Sequence, residues 1–415
     1  MKIIKGVIWR IAVFVVANLA FVGLMLAALV ERRRSRRGKP RVFWGTAPLI
    51  NIKYHSQAVR LLGYESVTVV DWTSFINANT DFDFHSDDIA NESRLMRLLP
   101  LRGRQLIRDY YVFVWAMHRF DVYNFYYTGG ILRSTPLKYK EAFLLRLAKK
   151  KTVFTAFGGD VQTMSFIRNL LYKHTLIMDY PDFPRHEAQT RKDVVTFSQQ
   201  ADYVIAGVDW VDYMPRWDKL VSAHFAIDTA AWKPDPEWRT APAGKVVKVL
   251  HAPNHRTIKG TSFLIQACNE LKEEGVPLEL VLVERVANTR IHELMQECDI
   301  VADQFIVGWY AMFALEGMSM GKPVLTYLRP DLLELYTLYS WAGECPLVNT
   351  PALRIKEILR EMVEHPELRA EIGAKGRAYV EKYHSLEAIG RMFDEVYREI
   401  WQPGEAGSSQ PHEHV

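Results

Sequence analysis

The chain has 415 residues, enough for two domains with separate hydrophobic cores, and its 49% apolar and 24% charged residues are ordinary for a globular protein. Its three cysteines, Cys268, Cys298 and Cys345, are far apart in sequence and form no CxxC pair, which argues against a disulfide framework and a zinc site. Residues 1–41 carry a net charge of +9 and the whole chain +4, so the remainder carries −5, and we expect no nucleic-acid-binding face.

An apolar run from residue 11 to residue 30 contains Asn18 as its one strongly polar residue. A run of this length at helical rise matches the hydrocarbon thickness of a bilayer. A cleaved signal peptide is the alternative, but its apolar core is usually shorter, and here the run continues into ERRRSRR without a convincing cleavage site. We therefore predict that residues 1–40 are an uncleaved membrane anchor with a basic juxtamembrane segment.

The charged flanks of this run predict its orientation. Three basic residues precede it, and seven follow it up to Arg41, opposed by Glu31 alone. The positive-inside rule then places the C-terminal body in the cytoplasm, and the basic cluster would adhere to anionic lipid headgroups. The sequence thus predicts a membrane protein with a single-pass anchor.

Residues 41–235 have the pattern of a first α/β domain. The apolar run 41–44 ends at Gly45, a helix with apolar spacing covers 52–62, and the β-branched run 66–70 predicts the next strand. A strand, a helix and a strand within about thirty residues indicate a βαβ unit and hence a parallel sheet. Ligands gather at the loops that follow the carboxyl ends of such strands.

The triplet Asp81-Phe82-Asp83 has the spacing with which two carboxylates can converge on one divalent metal ion. Such a pair should terminate a buried strand, whereas this one lies between polar residues. We therefore interpret the triplet as part of a solvated loop and predict no metal site.

The next two strands of this domain lead to residues that a ligand could contact. The strand 121–127 contains Asn124, and the strand 152–155 leads to Gly158, Gly159 and Asp160. Paired glycines after a strand let the backbone approach a ligand closely, and the aspartate could bind hydroxyl groups. A tight turn with an N-cap aspartate explains the same residues equally well, so the pattern leaves both interpretations open.

A proline-rich segment, 233–244, has little apolar content and marks the boundary between two domains. The strand 245–250 opens the second domain, which we predict to cover 245–385. A basic loop beside a helix N-terminus suits a diphosphate, although an ordinary polar loop with locally bonded histidines would have the same composition. The sequence has no Walker signature, so phosphoryl transfer from ATP is not indicated. The loop contains His251, Asn254, Arg256, Lys259 and Gly260.

The stretch 308–324 predicts a helix that ends at Gly321 and is followed by a short strand. Its apolar positions recur at helical spacing and include one carboxylate, Glu316. The open N-terminus of this helix, preceded by Gly308, would suit a phosphate, and a packing helix with one acidic residue is the alternative. Together the patterns predict an α/β fold with two Rossmann-like, doubly wound domains after the N-terminal transmembrane helix.

These residues resemble the GT-B fold glycosyltransferases, most closely those of family 4 in the sequence-based classification. The resemblance covers roughly residues 41–395 and is strongest after residue 245. The family's last helix, matched at 386–401, commonly crosses back onto the first domain, and the polar segment 402–415 is predicted to be a disordered tail. The matching motifs are HAPNHRTIKG at 251–260, CDI at 298–300, LEGMSMGKPV at 315–324 and FGGD at 157–160.

The resemblance implies a role for each residue that matches a family motif. Glu316 would bind the ribose hydroxyls of a nucleotide, while Lys259 and Arg256 would hold its diphosphate and stabilise the leaving group. No metal and no cofactor is expected, because the donor is a nucleotide diphosphate sugar and side chains supply the positive charge. The residues so assigned are catalytic Lys259, Arg256 and Glu316; donor-binding His251, Asn254, Gly260, Gly308, Trp309, Tyr310 and Glu316; and acceptor-side Gly45, Gly158, Gly159, Asp160 and Asn124.

The chain departs from the family pattern at two positions. Gly308 stands where the family usually has a second glutamate, which contacts the donor sugar. The family often has a histidine at the end of the strand matched by 121–127, where this chain offers Asn124 and Tyr126 instead. Both departures concern the sugar side of the site, so nucleotide binding is the firmer implication.

The sequence therefore predicts a membrane-anchored, cytoplasm-facing glycosyltransferase that moves a sugar from a nucleotide diphosphate sugar to a lipid-linked or polysaccharide acceptor. The resemblance implies retention of anomeric configuration and catalysis without a metal. A non-catalytic GT-B-like scaffold of a glycan-synthesis complex is the main alternative, and Gly308 is its chief support. A nucleotide-sugar isomerase, a reaction that some GT-B proteins perform, is the third interpretation.

Overall fold

The computed structural model describes residues 2–34, 38–73, 81–237, 239–286 and 288–401. The predicted tail at 402–415 and residues 35–37 of the basic juxtamembrane cluster lie outside these ranges. A long N-terminal helix, α1 (Lys2–Glu31), precedes two parallel β-sheets with helices between their strands. Its segment Ala12–Glu31 is long and apolar enough to cross a bilayer, a property that signal sequences and buried core helices share.

The first sheet has seven strands in the order β3-β2-β1-β4-β5-β6-β7, and each neighbouring pair is parallel. Its central strands are buried and rich in β-branched and aromatic residues, as expected for a parallel sheet covered on both faces. The strands are β1 (Val42–Thr46), β2 (Ser66–Val70), β3 (Phe84–His85), β4 (Val122–Tyr126), β5 (Lys151–Thr155), β6 (Tyr203–Gly207) and β7 (Lys219–Val221).

Within the described ranges, seven α-helices lie in the chain segments between these strands. A 3-10 turn over Lys138–Lys140 precedes the helix Glu141–Leu147, and Lys149 adopts a positive φ of 60° after it. The helices are α2 (Ile50–Leu61), α3 (Ser86–Glu92), α4 (Arg94–Arg97), α5 (Leu101–Arg119), α6 (Glu141–Leu147), α7 (Leu170–Asp179) and α8 (Glu187–Gln200).

The second sheet has five parallel strands in the order β12-β11-β10-β8-β9. The strands are β8 (Val247–His251), β9 (Leu278–Leu282), β10 (Ile300–Ala302), β11 (Val324–Thr326) and β12 (Val348–Asn349). Its helices are α9 (Arg256–Lys259), α10 (Thr261–Glu273), α11 (Asn288–Glu297), α12 (Met312–Ser319), α13 (Pro330–Tyr339), α14 (Ile355–Glu364) and α15 (Pro366–Tyr383).

The last helix, α16 (Leu386–Trp401), packs on α2 beside the first sheet. Gly390 allows this contact, since a Cβ there would lie 2.6 Å from the carbonyl oxygen of Ala58. Phe393 and Tyr397 of the same helix are fully buried among apolar residues of the first sheet. The chain thus returns from the second sheet to the first.

Asp81 and Asp83 are exposed, as the solvated-loop interpretation predicted. The Asp83 carboxylate is nevertheless engaged, since its Oδ2 accepts hydrogen bonds from the backbone N–H of Thr68 at 2.8 Å and from Arg60 at 2.7 Å. These bonds fix the chain where β3 joins the edge of the sheet. The predicted fold class, α/β with two parallel sheets after an N-terminal apolar helix, is confirmed.

Candidate active site

The central strand of the second sheet, β10, pairs with β8, so the loops that follow these two strands lie side by side. The first loop leads through α9 to Lys259, and the second begins at Asp303. Lys259 Nζ donates a hydrogen bond to Asp303 Oδ1 at 2.7 Å. The Asp303 side chain is fully buried and that of Lys259 is 16% exposed, so the aspartate fixes a cation at the surface of the sheet edge.

Gly260 and His251 determine how the loop that carries Lys259 packs against its neighbours. Gly260 has a φ of +74°, and a Cβ there would lie 3.2 Å from the side chain of Ile306, so the two loops approach at a residue without a side chain. His251 is buried, and its ring contacts the carbonyl oxygen of Ala302 at 2.7 Å and the hydroxyl of Thr261 at 2.8 Å. Burial lowers the pKa of His251 to about 4, which keeps the ring neutral. The His251 ring therefore forms hydrogen bonds within the second domain, as in the interpretation of an ordinary polar loop.

The other polar residues of the basic loop face solvent. Asn254 is exposed, and Arg256 is bound to Glu284, with Nη2 and Oε2 2.6 Å apart. The predicted role of Arg256 in holding a diphosphate would therefore require it to leave this exposed carboxylate. Lys259 is the residue of the loop that the structure orients toward the neighbouring strand.

Glu316 lies in the middle of α12 and is 7% exposed. Its carboxylate acts electrostatically on Tyr54 of α2, which is half-buried. Burial raises the pKa of Tyr54, a hydrogen bond with the Trp232 side chain opposes the rise, and the carboxylates of Glu316 and Asp228 add to it. The sequence reasoning did not identify Tyr54, because its proximity to Glu316 depends on how the two sheets meet.

Gly308 has a φ of +104°, a conformation that favours glycine, and a Cβ there would lie 3.0 Å from Cβ of Arg329. The backbone N–H of Arg329 donates to the Gly308 carbonyl oxygen at 2.8 Å. Arg329 therefore occupies the space beside Gly308. The carboxylate that the family usually places here has no equivalent at this position of the chain.

Trp309 and Tyr310 were predicted to bind the donor, and the structure places both in the core. The Trp309 indole donates to the carbonyl oxygen of Ser222 at 2.7 Å. The Tyr310 hydroxyl lies 3.0 Å from that of Tyr379 and 3.2 Å from Nε2 of His384. These contacts attach the loop before α12 to the segments that return to the first sheet, so both side chains position α12.

Asp160 on the first sheet is buried, and its carboxylate accepts three backbone N–H groups at 3.0 Å, from Tyr127, Phe157 and Gly158. Burial raises the pKa of Asp160 to about 7, against the effect of these donors. This geometry corresponds to a tight turn, one of the two interpretations that the sequence allowed. Gly158 adopts a φ of +123° there, while Gly159 is exposed, with no described atom within 4 Å of a Cβ built on it.

The remaining acceptor-side residues, Gly45 and Asn124, lie inside the first sheet. A Cβ at Gly45 would lie 2.6 Å from the carbonyl oxygen of Val69, so the close spacing of β1 and β2 requires glycine there. Asn124 Oδ1 accepts a hydrogen bond from the Tyr397 hydroxyl at 3.1 Å, and its Nδ2 donates to Phe43 O at 3.3 Å. Asn124 thereby connects β4 to α16.

Side chains from the first sheet reach across to the loops of the second. Asn169 Nδ2 donates to the carbonyl oxygen of Ile306 at 2.6 Å, and the Tyr180 hydroxyl lies 2.8 Å from Nε2 of His255. These residues cap and follow α7, which also contacts α9. The helix α7 thus covers the loop that carries Lys259.

A buried ion pair is a second contact between the first and the second sheet's loops. The guanidinium of Arg329 binds both oxygens of Asp212, at 2.7 and 2.9 Å, and both side chains are less than 10% exposed. Arg329 follows β11 and Asp212 follows β6, so each lies at the carboxyl edge of its own sheet. Sequence reasoning missed both residues, since each is an ordinary charged loop residue until its partner is known.

The structure thus brings Lys259, Asp303, Gly308 and Arg329 to one edge of the second sheet, with Glu316 nearby on α12. It places His251, Trp309 and Tyr310 beneath this edge, and Gly45 and Asn124 inside the first sheet. Among the described residues, no group of three or more His, Cys, Asp and Glu side chains is placed to hold a metal ion. The edge is suited to an anion, which the ammonium group of Lys259 can bind.

Part of the second sheet and its helices is similar to a known family of proteins. Residues 267–393 match the family described as glycosyl transferase-like. The fold is similar to that of sucrose-phosphate synthase from Thermosynechococcus elongatus, with 12% identity, a TM-score of 0.52 and coverage of 87% of this chain and 99% of that one. It is also similar to a glycosyltransferase from Rickettsia africae ESF-5, with 14% identity, a TM-score of 0.51 and coverage of 88% and 100%. A comparison with curated proteins gave no match.

The predicted GT-B fold is confirmed by these structures, which at their low identity show the fold alone. The predicted enzyme class, glycosyltransferase, is confirmed by the family match over 267–393. That segment contains α12 and the loop that begins at Asp303. The donor, the acceptor and the mechanism must be argued from the site.

Proposed function

We propose that this glycosyltransferase moves a sugar from a nucleoside diphosphate sugar to a lipid-linked or polysaccharide acceptor at the cytoplasmic face of a membrane. The observation that carries the proposal is the ammonium group of Lys259, which Asp303 fixes at the ends of β8 and β10 in the second sheet. Ligands of open α/β sheets bind at this edge. A fixed cation there is suited to a diphosphate.

The diphosphate half of the donor would lie between Lys259 and the N-terminus of α12. The residue before that helix, Ala311, makes no side-chain capping bond in the described structure, so the first N–H groups of α12 need another acceptor. When the sugar leaves, negative charge grows on the diphosphate, and a cation held beforehand in the right place stabilises it. The reaction then needs no metal, as the family resemblance implies.

The nucleoside half would extend toward Glu316. Its carboxylate is suited to accept hydrogen bonds from two ribose hydroxyls, and Tyr54 approaches the same group from the first sheet. A ligand bound there would contact both sheets. Retention of configuration follows from the resemblance and belongs to the same proposal.

The acceptor is assigned from the N-terminus. An apolar helix followed by exposed arginines would hold the enzyme on an anionic membrane, and since the cytoplasmic leaflet carries the anionic lipids, the body would lie in the cytoplasm. Lipid-linked and membrane-bound polysaccharide acceptors are found at that surface. The acceptor would then be held at the same membrane surface as the enzyme.

A scaffold without transferase activity is the second candidate, and Gly308 favours it. Its conformation and the nearby Arg329 leave no room for the sugar-binding glutamate of the family. A scaffold would keep the fold and lose the chemistry. The two candidates differ in whether cellular function depends on Glu316.

A panel of nucleoside diphosphates and nucleotide sugars tests the proposal by thermal shift on the purified full-length chain. A ligand present at a hundred times its dissociation constant should stabilise the protein by about 2.7 kcal/mol. Glu316→Ala should abolish this shift and the transfer or hydrolysis of the donor. The control Glu293→Ala changes an exposed glutamate and should leave both unchanged. If no nucleoside diphosphate binds and no nucleotide sugar is consumed, the transferase proposal is wrong. A scaffold would retain its cellular function with Glu316→Ala.

A further inference from the structure

The N-terminal helix α1 has two different sides. On one side, a stripe of residues is at most 3% exposed: Ala17, Leu24, Ala28 and Glu31. Their spacing places them on one face of the helix, and this face packs against α5 and α6 of the body. On the opposite side, six large apolar residues are 42–70% exposed: Val15, Leu19, Val22, Leu26, Leu29 and Val30.

A buried ion network fixes the end of α1 to the body. Glu31 Oε1 lies 3.1 Å from Nζ of Lys150, and Glu31 Oε2 lies 2.8 Å from Nδ1 of His118 at the end of α5. Lys150 also binds Asp121 at 2.9 Å. Because a buried ion pair is costly to break on one side, the end of α1 is not a free hinge.

The length of the covered stripe conflicts with a simple spanning helix. From Ala17 to Glu31 the stripe runs about 21 Å at helical rise. If α1 crossed a hydrocarbon core of about 30 Å, that length of the body would enter the bilayer beside it. The helices it packs on carry exposed charges such as Arg102 and Arg146, which are expensive inside a membrane.

The chemistry of the exposed side indicates a lipid surface. Its one polar residue, Asn18, bonds its own helix through Nδ2 and the carbonyl oxygen of Phe14 at 2.8 Å. Exposed arginines flank the apolar residues at both ends: Arg10 before them, and Arg32, Arg33 and Arg34 after them. An apolar helix face with arginine at both ends is complementary to hydrocarbon between anionic headgroups.

We propose that α1 lies in the plane of an anionic bilayer, with its covered stripe on the body and its exposed apolar face in the lipid. The chain then attaches to one leaflet and does not cross it, in place of the single-pass arrangement expected from the sequence. Both flanks of α1 and the body lie on the same side of the membrane. This inference depends on the membrane location of the proposed function and is independent of the transfer chemistry.

Cysteine labelling in sealed membranes separates the two arrangements. Lys5→Cys reports the flank before the apolar run, and Lys375→Cys reports an exposed body position, with the unmodified chain as the blank. In inverted vesicles and intact spheroplasts of a bacterial host, an impermeant maleimide should reach both cysteines from the cytoplasmic face alone. Labelling of Lys5→Cys from the outer face would show a spanning helix and overturn the proposal.

Vesicle binding tests the exposed face itself. The full-length double variant L19Q/L26Q should bind vesicles containing phosphatidylglycerol at least tenfold more weakly, with an unchanged melting temperature. The matched control, L338Q/L353Q, removes two exposed leucines of the second sheet's helical layer and should bind as the unmodified chain does. Three results would contradict a lipid-facing α1. The two double variants could lose vesicle affinity equally, or L19Q/L26Q could lose none. L19Q/L26Q could also dissociate a dimer of the chain while its vesicle affinity stays the same. The donor-binding shift should persist in every variant, which separates this test from that of the transferase.

Discussion

Lys259 Nζ and Asp303 Oδ1 lie 2.7 Å apart at the end of two adjacent strands. The second oxygen of this carboxylate is buried without a hydrogen-bond partner in the described structure. Lys259 therefore compensates the buried charge of Asp303, while the Lys259 side chain remains 16% exposed. A cation that the protein already holds in place has less freedom to lose when a diphosphate binds.

Removing the lysine alone should be more damaging than removing both partners. Lys259→Ala leaves a buried uncompensated carboxylate and should cost about 3–5 kcal/mol of unfolding free energy, whereas K259M/D303L should recover most of that loss. Denaturant unfolding measures both. The exposed pair Lys375–Glu371 is the control, and Lys375→Ala should change stability by less than about 0.5 kcal/mol. A double variant as unstable as Lys259→Ala would show that the pair is not the source of the effect.

The aspartate should also matter for function beyond stability. Asp303→Asn keeps the shape of the side chain and removes the charge that positions Lys259, so the affinity for a nucleoside diphosphate and kcat should both fall by about tenfold or more. Asp303→Glu should restore part of the activity if the charge is what matters. Isothermal titration and steady-state kinetics distinguish this from simple unfolding, which would lower the amount of active enzyme without changing its KM.

Restoring the usual family residue at Gly308 should not improve the enzyme. Gly308→Glu forces a side chain onto a φ of +104° and against Arg329, which should cost about 1–3 kcal/mol. Thermal unfolding and the donor-binding shift measure the result. The control Gly103→Ala adds a methyl group whose nearest described neighbour lies 3.7 Å away, and it should be nearly neutral. A stable and more active Gly308→Glu variant would show that the loop adapts.

The bidentate pair of Arg329 and Asp212 should couple the two sheets. A double-mutant cycle with Arg329→Met and Asp212→Ala should give a coupling free energy of about 1–3 kcal/mol, since both side chains are buried. The exposed pair Arg290–Glu293 should give about 0.3–0.5 kcal/mol in the same measurement. Equal coupling in the two cycles would mean that burial adds nothing at this contact.

Asp209 should make stability depend on pH. Burial and the neighbouring Asp212 raise its pKa to about 7, against the effect of Arg329. Because the folded-state pKa lies above the unfolded value of 3.8, the folded protein holds more protons between the two values, and stability falls as the pH rises from about 4 to 7. Asp209→Asn should flatten this fall by about 1.4 kcal/mol per pH unit. Asp182→Asn, at an exposed carboxylate, should leave the profile unchanged.

Part of the candidate site could be predicted from the sequence because strand ends can be located there. Lys259 and Glu316 belong to motifs with local signals, a basic loop before a helix and a helix that ends at glycine. Asp303 directly follows the strand 300–302, and this position was a usable signal that the sequence reasoning overlooked. Trp309 and Tyr310 were predicted as donor contacts from the family resemblance, and the tertiary structure shows that both side chains are buried.

The sequence by itself determined the two parallel sheets, since β-branched runs alternating with helical periodicity permit few other arrangements. It also determined the apolar N-terminal helix and the basic residues that flank it. The tertiary structure alone decided which side of α1 is covered, which aspartate holds Lys259, and that Arg329 reaches Asp212 from the other sheet. The physical reason is that periodicity and turn residues act over a few positions, whereas burial and ion pairing depend on residues far apart in the chain. Lys259 and Asp303 are 44 positions apart, Arg329 and Asp212 are 117 apart, and Glu31 of α1 and His118 are 87 apart. A pattern that extends over a few residues cannot predict contacts at these separations.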